Sequence, residues 1–288
     1  MALASYERLM TTSPHLLWAT ERSWDAAEAR EREHRYEGGE NTCWFVQEGR
    51  ARVTMEDGTM SDVLEGQWLF LRPGLRHQEF GGPFRFLSIG LRWRWPNGLH
   101  LFEKGLPRVA AENEVPELQP AARDVIARTA ALVPRHHHYL TLGETSLAAF
   151  GRLAALAGDW AAAFAVAMER LEIGAELLED FDPRLEAMHR MLGTLPLDKE
   201  LPAAVIEAAT GLSERQLNRL SRAAGGRTLR EAFENRRYEY AREALLEPGG
   251  RVKTVASALG FTDLALFNRW FRRRSGRNPR EVRGKMQS

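Results

Sequence analysis

Cysteine is nearly absent from this 288-residue chain: Cys43 stands alone, which excludes an internal disulfide and a cysteine-based zinc site. Lysine is scarce too, at four residues, so the positive charge is carried almost wholly by guanidinium groups. No apolar run approaches the ~20 residues that span a bilayer. The first residues, Met-Ala-Leu-Ala-Ser-Tyr-Glu-Arg, lack the basic-then-apolar layout of a secretory signal. These absences point to a cytoplasmic protein with no membrane partner. Gly-x-Ser-x-Gly, the Walker A loop, Gly-x-Gly-x-x-Gly and His-Glu-x-x-His are also missing, so no enzyme class is marked by motif.

What is present is globular, with 44% hydrophobic and 27% charged residues and length for about two domains. The net charge of +1 hides an asymmetry. From Leu195 to Ser288 there are 19 Lys and Arg against 11 Asp and Glu, a balance of +8; the rest holds 21 against 28, a balance of −7. Such a split predicts one domain for a polyanion and one for something else.

The first ~110 residues read as β. Cys43 to Gln47, Arg50 to Met55, Gln67 to Arg72 and Phe84 to Trp95 are short, aromatic or β-branched segments. Asp57-Gly58, Gly38-Gly39, Gly81-Gly82-Pro83 and Pro96-Asn97-Gly98 break them, which predicts a sandwich or barrel. From about Glu117 the period turns helical: Pro120 to Val133, Leu140 to Ala157, and Asp159 to about Glu179. Leu147, Phe150, Leu153 and Leu156 form one stripe, either core packing or a surface for a homodimer.

The last third contains a repeat. Asn218-Arg219-x-x-Arg222-x-x-x-Gly226-Arg227-x-x-Arg230-Glu231 recurs 50 residues later as Asn268-Arg269-x-x-Arg272-x-x-x-Gly276-Arg277-x-x-Arg280-Glu281. The match extends back through Leu217 and Phe267 to the helix-cap candidates Ser213 and Asp263. In the second unit a short helix with Val252, Val255 and Ala256 meets Gly260, and a second helix buries Phe267, Trp270 and Phe271. Helix, tight turn and Arg/Asn-rich helix is a helix-turn-helix pattern, whose second helix can enter a major groove. Arg pairs with guanine O6/N7 or phosphate, and Asn with adenine N6/N7. Between the units, Leu229 to Leu246 reads as one connecting helix that Pro248-Gly249-Gly250 ends.

These residues resemble the signature of AraC-type transcription regulators: Ala256-Ser-Ala-Leu-Gly260-Phe261, Phe267-Asn-Arg269-Trp-Phe271 and Gly276-Arg-Asn-Pro279-Arg-Glu-Val-Arg283. Gly211-Leu-Ser213, Leu217-Asn-Arg219 and Arg236-Arg237 to Leu245-Leu246 fit the same family. The resemblance covers about Leu197 to Arg283. It implies a DNA-binding module of two helix-turn-helix motifs joined by a helix, acting on a double-stranded operator, with RNA polymerase a candidate partner. By position it places Arg215, Asn218, Arg219 and Arg222 at the groove or its phosphates from the first reading helix, and Leu264, Ala265, Asn268 and Arg269, followed by Arg272, from the second, with the cap candidates Ser213 and Asp263 counted among the expected DNA-binding residues. Two positions depart from the family pattern. Glu207 stands where the second unit has Ala256, and Leu264, Ala265 and Leu266 open the second reading helix where relatives carry polar residues.

Gly66-Gln-Trp-Leu-Phe-Leu-Arg-Pro73-Gly74-Leu-Arg-His77 resembles a stretch of cupin barrels, which the N-terminal half of AraC-type regulators usually contains. Cupin enzymes use this stretch to bind a metal with an earlier His-x-His and Glu. Here His34 and Glu40 occur without that pair, so no metal or other cofactor is expected. The consecutive His136, His137 and His138 diverge and read as a solvated loop. Six of eight tryptophans fall in the first 95 residues, with Trp93 and Trp95 on one strand face. Trp44, Trp93 and Trp95, with Arg52, Arg72 and His77, are the candidates for binding a small organic effector, a carbohydrate by preference.

The expected fold is thus α+β and multidomain. A cupin-like sensing β-barrel spans 1–112, a helical dimerisation and linker segment 113–194, and an all-α tandem helix-turn-helix domain 195–288. The expected function is a non-enzymatic, effector-regulated transcription factor. A metal-dependent cupin enzyme fused to a DNA-binding tail is the rival, and an architectural DNA-binding protein without an effector the third reading.

Overall fold

The computed structural model describes residues 5–133, 139–142, 144–177, 182–224, 226–247 and 249–284, without the side chains of Glu7, Arg8, His34, Arg35 and Glu37. The His136 to His138 loop therefore lies outside the described residues. The chain divides into two units, Met1–Trp93 with His100–Leu177, and Arg94–Leu99 with Leu178–Ser288.

The first unit holds helix α1 (Tyr6–Met10), strand β1 (His15–Trp24), helix α2 (Ala26–Glu31) and strands β2 (His34–Gly38), β3 (Asn41–Met55), β4 (Met60–Leu64), β5 (Gln67–Leu71), β6 (Gly74–Arg92) and β7 (Arg108–Ala111). Helices α3 (Leu118–Leu132) and α4 (Leu147–Arg170) follow. The seven strands make one antiparallel sheet in the order β1-β6-β3-β5-β7, with β2 on β6 and β4 on β3. The two long strands β3 and β6 pair along most of their length. Their register shifts on either side of Glu48, and these bulges bend the ribbon. Gly49 sits at that bend with φ +87°, and a Cβ there would lie 2.3 Å from the Pro83 carbonyl oxygen, so no side chain fits. The segments Cys43 to Gln47 and Arg50 to Met55, which read as two strands, are thus one bent strand.

Period-2 alternation sends Trp44, Val46, Ala51, Val53, Leu69 and Leu71 into one core with Phe80, Phe84 and Phe86. The alternate residues of β5 face α4: Trp68 stacks near Trp160 at 6.3 Å and Phe70 near Phe164 at 6.1 Å. Both faces of β5 are therefore buried, which is why it reads as a continuous apolar run. Helix α4 runs through Gly158 as one element, where two helices were expected. The Ala-rich turns on either side absorb the ~1 kcal/mol that a glycine costs inside a helix. Among the described residues α4 alone has the length and apolarity of a membrane span. Its residues Leu156, Trp160, Phe164 and Met168 are buried, however, as in a core helix.

The second unit is helical: α5 (Pro183–Thr194), α6 (Ala203–Thr210), α7 (Glu214–Ala223), α8 (Leu229–Leu246), α9 (Val252–Ala258), α10 (Leu264–Ser275) and α11 (Pro279–Gly284). It has two cores. Leu185, Met188 and Leu192 of α5 pack with Ile206, Leu217, Leu229 and Phe233. Tyr238, Ala241 and Leu245 pack with Val255, Leu259, Phe267 and Phe271. Helix α8 feeds its N-terminal half to the first core and its C-terminal half to the second, so it is buried on more than one face. Helix α5 belongs to this unit, and the division falls at 177/178, not at the 194/195 boundary expected from charge and composition.

His189 lies on α5 beside the first core, and burial pushes its pKa down to about 4. The folded chain keeps it neutral where an unfolded histidine, near 6.5, would be protonated. The unfolded state then binds more protons, so stability is full above about pH 6.5 and is lost as pH falls toward 4. Between pH 7 and pH 5 the second unit should lose about 2 kcal/mol from this group. Hydrogen exchange of α5 to α7 amides, corrected for intrinsic rates, measures it, and His189→Gln should flatten the dependence.

Candidate nucleic-acid interface and sensor unit

The 50-residue offset of the sequence is also an offset of structural roles. Ser213 caps α7, its Oγ accepting from the Gln216 N–H at 3.4 Å while Gln216 Oε1 accepts from the Ser213 N–H at 2.9 Å. Asp263 caps α10, its Oδ1 accepting from the Ala265 N–H at 2.8 Å. Thr228 and Asn278 open the next helices, each donating its N–H to a glutamate three residues on, Glu231 at 2.8 Å and Glu281 at 2.9 Å. Leu217 and Phe267 fill equivalent places in the two cores. Turns between paired helices contain Gly211 at φ +67° and Gly260 at φ +75°. At Gly260 a Cβ would stand 2.2 Å from the Asp198 carbonyl oxygen, so the chain can pass there only as glycine.

Ser213 and Asp263 are thus cap residues at the ends of the reading helices. Arg215, Arg219 and Arg222 are exposed on α7 and, with Glu214, Asn218 and Thr228, line a depression of about 740 Å³. Ala265, Arg269 and Arg272 are exposed on α10, beside Leu264 at 37% and Leu266 at 47% exposure. The two asparagines, identical in sequence, differ in use. Asn218 Oδ1 accepts the Leu229 N–H at 2.8 Å and ties α7 to α8. The residue 50 positions on from Leu229 is Pro279, which has no N–H, so Asn268 has no such bond to accept.

Glu207, the departure noted on α6, accepts the Glu214 N–H at 2.5 Å. Its charge sits at the N-terminus of the first reading helix, where unpaired N–H groups and the helix dipole favour an anion. Arg236 and Arg237, adjacent on α8, both turn to backbone. Arg236 donates to the Leu192 carbonyl and, at 3.1 Å, to that of Leu195. Arg237 donates to Leu197 at 3.1 Å and Leu259 at 2.7 Å, pairs with Glu234 at 2.9 Å, and stacks over Phe261 and Trp270. Sequence reading missed these roles, because the pair stands on a helix rich in charges of both signs and nothing in its spacing marks the carbonyls it meets.

Of the effector candidates, Trp44, Arg52, Arg72, His77 and Trp93 lie in the first unit, where they do not converge, and Trp95 falls in the Arg94–Leu99 segment of the second. Trp44 is buried in the sheet core. Arg52 is exposed and holds Asp62 at 2.7 Å, beside a surface cleft of about 440 Å³ that also takes in Arg50, Glu79 and Phe80. His77 is exposed opposite Thr54 on the same outer face, and Arg72 pairs with Asp57 at the β3–β4 turn. Strand β6 ends at Arg92, so Trp93 and Trp95 lie beyond it and not on one strand face. Trp93 is half-buried near Phe102 and donates Nε1–H to Thr12 Oγ1 at 3.2 Å, while Trp95 is buried.

Several charged groups of the first unit gave no sequence signal. Arg76 is 2% exposed, with its guanidinium 4.9 Å from the Tyr36 ring and 5.9 Å from the Trp44 ring. Arg22 has its pKa lowered by burial first and by the nearby Arg32 cation second. Glu40, 1% exposed, holds Arg92 Nε at 2.7 Å and faces His100 Nδ1 at 3.7 Å, so it serves an ion pair. The side chain of His34 lies outside the described residues. Among the described residues no three His, Cys, Asp or Glu side chains gather as metal ligands. Burial pushes the Cys43 thiol up, which keeps it protonated and unreactive.

Residues 206–285 match the family described as helix-turn-helix domain, which spans α6 to α11 and both reading helices. Over most of its length the chain is similar in fold to ToxT from Vibrio cholerae. An apo variant of that protein aligns at 10% identity over 93% of this chain and 98% of that one, with a TM-score of 0.54. A second crystal form aligns at 10% identity over 95% and 100%, with a TM-score of 0.51. No curated protein matches the sequence.

Proposed function

We infer that this protein is an AraC-type transcription regulator that binds a double-stranded operator through two helix-turn-helix units and is controlled by a small organic effector in its first unit. The observation that carries the reading is the duplicated unit: two capped helices, 50 residues apart, each exposing arginines at the same positions. Arg215, Arg219 and Arg222 are the proposed groove and phosphate contacts of α7, and Ala265, Asn268, Arg269 and Arg272 those of α10, with Leu264 at its edge. Helix α8 has 18 residues, about 27 Å of rise, which suits two reading heads on successive turns of one groove face. RNA polymerase is the further partner proposed.

The effector reading rests on the sheet unit and on its likeness in fold to a known two-unit protein. A sugar was the class favoured by the tryptophans. Trp18, Trp44, Trp68 and Trp95 are buried, so few rings remain to stack on a ligand. The broader statement is therefore proposed, with sugars, sugar acids and aromatic acids as arms of one thermal-shift screen on the full chain. A ligand of the folded state raises the melting temperature. It should also change operator affinity between 5- and 150-fold, since it can act only through unequal affinity for two states. If no class binds, or a binder leaves operator affinity unchanged, effector control is wrong.

A homodimer is proposed through the N-terminal end of α4. Of its stripe, Leu156 is buried in the core, whereas Leu147 is 85% and Phe150 53% exposed. A second copy covering these residues would bring two reading modules to one operator. Light scattering should give twice the chain mass, and Phe150→Glu should return it to one.

A further inference from the structure

The two reading helices expose different chemistry at matched positions. Taking Leu217 and Ser221 as the buried side of α7, the helical period puts Arg215, Gln216, Arg219 and Arg222 on the outward side. With Phe267 and Phe271 buried in α10, the same positions hold Ala265, Leu266, Arg269 and Arg272. All eight are exposed. Arg215 is thus matched by Ala265 and Gln216 by Leu266, while both later arginines are kept.

Arg215 and Gln216 can donate to base edges. Ala265 and Leu266 can do neither donation nor acceptance, yet Leu266 keeps 47% of its surface in water, and Leu264 beside it 37%. One feature of the major groove is apolar, the C5-methyl of thymine, and small and branched apolar side chains are what contacts it. Resting on the regulator reading above, we propose that α10 reads thymine by its methyl group through Ala265 and Leu266, whereas α7 reads its half-site by hydrogen bonds. Arg269, between them on the same face, supplies charge to the adjoining phosphates. Specificity in the second half-site is then apolar, and in the first polar.

Deoxyuridine lacks only that methyl group, so it isolates the contact. The test uses the full chain and an operator selected from random-sequence DNA. Base pairs whose preference changes in Arg219→Ala mark the α7 half-site, and the α10 half-site lies about one helical turn away. Each thymine is replaced singly by deoxyuridine. At one or two thymines of the α10 half-site, binding should weaken about three- to five-fold, the value of one buried methyl. Thymines of the α7 half-site should be indifferent. In the double variant Ala265→Ser, Leu266→Gln the penalty should vanish, the thymine operator itself falling to about the affinity that the unaltered chain shows for the deoxyuridine one. Both residues are exposed, so the variant keeps its core. A penalty below 1.5-fold throughout the α10 half-site, or one undiminished in the double variant, overturns the proposal. Failure to select any operator would instead overturn the regulator reading itself.

Discussion

Replacing Arg237 by alanine should raise hydrogen exchange of the α9 and α10 amides by about a hundred-fold, which corresponds to ~3 kcal/mol. The guanidinium is largely buried and holds four elements at once. It donates to the Leu197 and Leu259 carbonyls, pairs with Glu234, and covers Phe261 and Trp270. Glu234 also accepts the Trp270 Nε1–H at 2.7 Å. Truncation leaves two carbonyl oxygens and part of a carboxylate without their donor, in a place water reaches poorly. That penalty exceeds the net worth of the bonds themselves. Arg237→Lys keeps the charge but loses the planar fork and the stacking, so an intermediate effect is expected. Exchange in β3 and β6 should not change. Equal protection of α10 in the wild type and Arg237→Ala would show that Arg237 does not hold the second reading head.

The second large effect concerns the reading arginines. Arg219→Ala should cost ~1–3 kcal/mol of operator affinity and relax the preference at one base pair, because a bidentate pair to guanine is lost. Arg269→Ala should instead weaken binding evenly across sequences and make the salt slope shallower by about one counterion. The difference follows from their neighbours: Arg215 and Gln216 beside Arg219 make a polar surface that shares base readout with it, whereas Ala265 and Leu266 beside Arg269 offer the bases only an apolar surface and leave Arg269 to the flanking phosphates. Affinity profiles over all single-base variants of the operator separate the two. The same profile change in both variants would refute the distinction.

The helix-turn-helix third was the legible part of the sequence. Duplication exposes which positions are held in common, and the helix caps Ser213 and Asp263, and Thr228 and Asn278, fall on matched positions. What duplication could not show is partner chemistry. Asn218 and Asn268 read alike, but only one faces an N–H, because Leu229 is matched by Pro279. Arg236 and Arg237 showed only as part of the family-like pattern, and the carbonyls they bond lie about 40 residues away in sequence. Glu207 looked misplaced until the α7 N-terminus stood over it.

The first unit was legible as β structure and less so as a site. Strand β1, His-Leu-Leu-Trp-Ala-Thr-Glu-Arg-Ser-Trp, follows Pro14 but has no Gly or Pro after it, and its first half is a run of buried residues without alternation, so its strand signal was weak. Trp93 and Trp95 alternate with Arg92 and Arg94 as a strand would, but pairing stops at Arg92. The half-buried Arg22 and the buried Arg76 were invisible because charge alone predicts exposure.

The account stands or falls on sequence-specific DNA binding by the full chain. The decisive measurement is a competition titration of an operator selected from genomic fragments against random DNA, repeated from 50 to 200 mM salt. The duplicated arginine face predicts a preference of at least 10³-fold for the selected fragment. It also predicts a steep loss of affinity with salt, as counterions are released from each neutralised phosphate. Equal affinity for selected and random DNA at every salt concentration would contradict it.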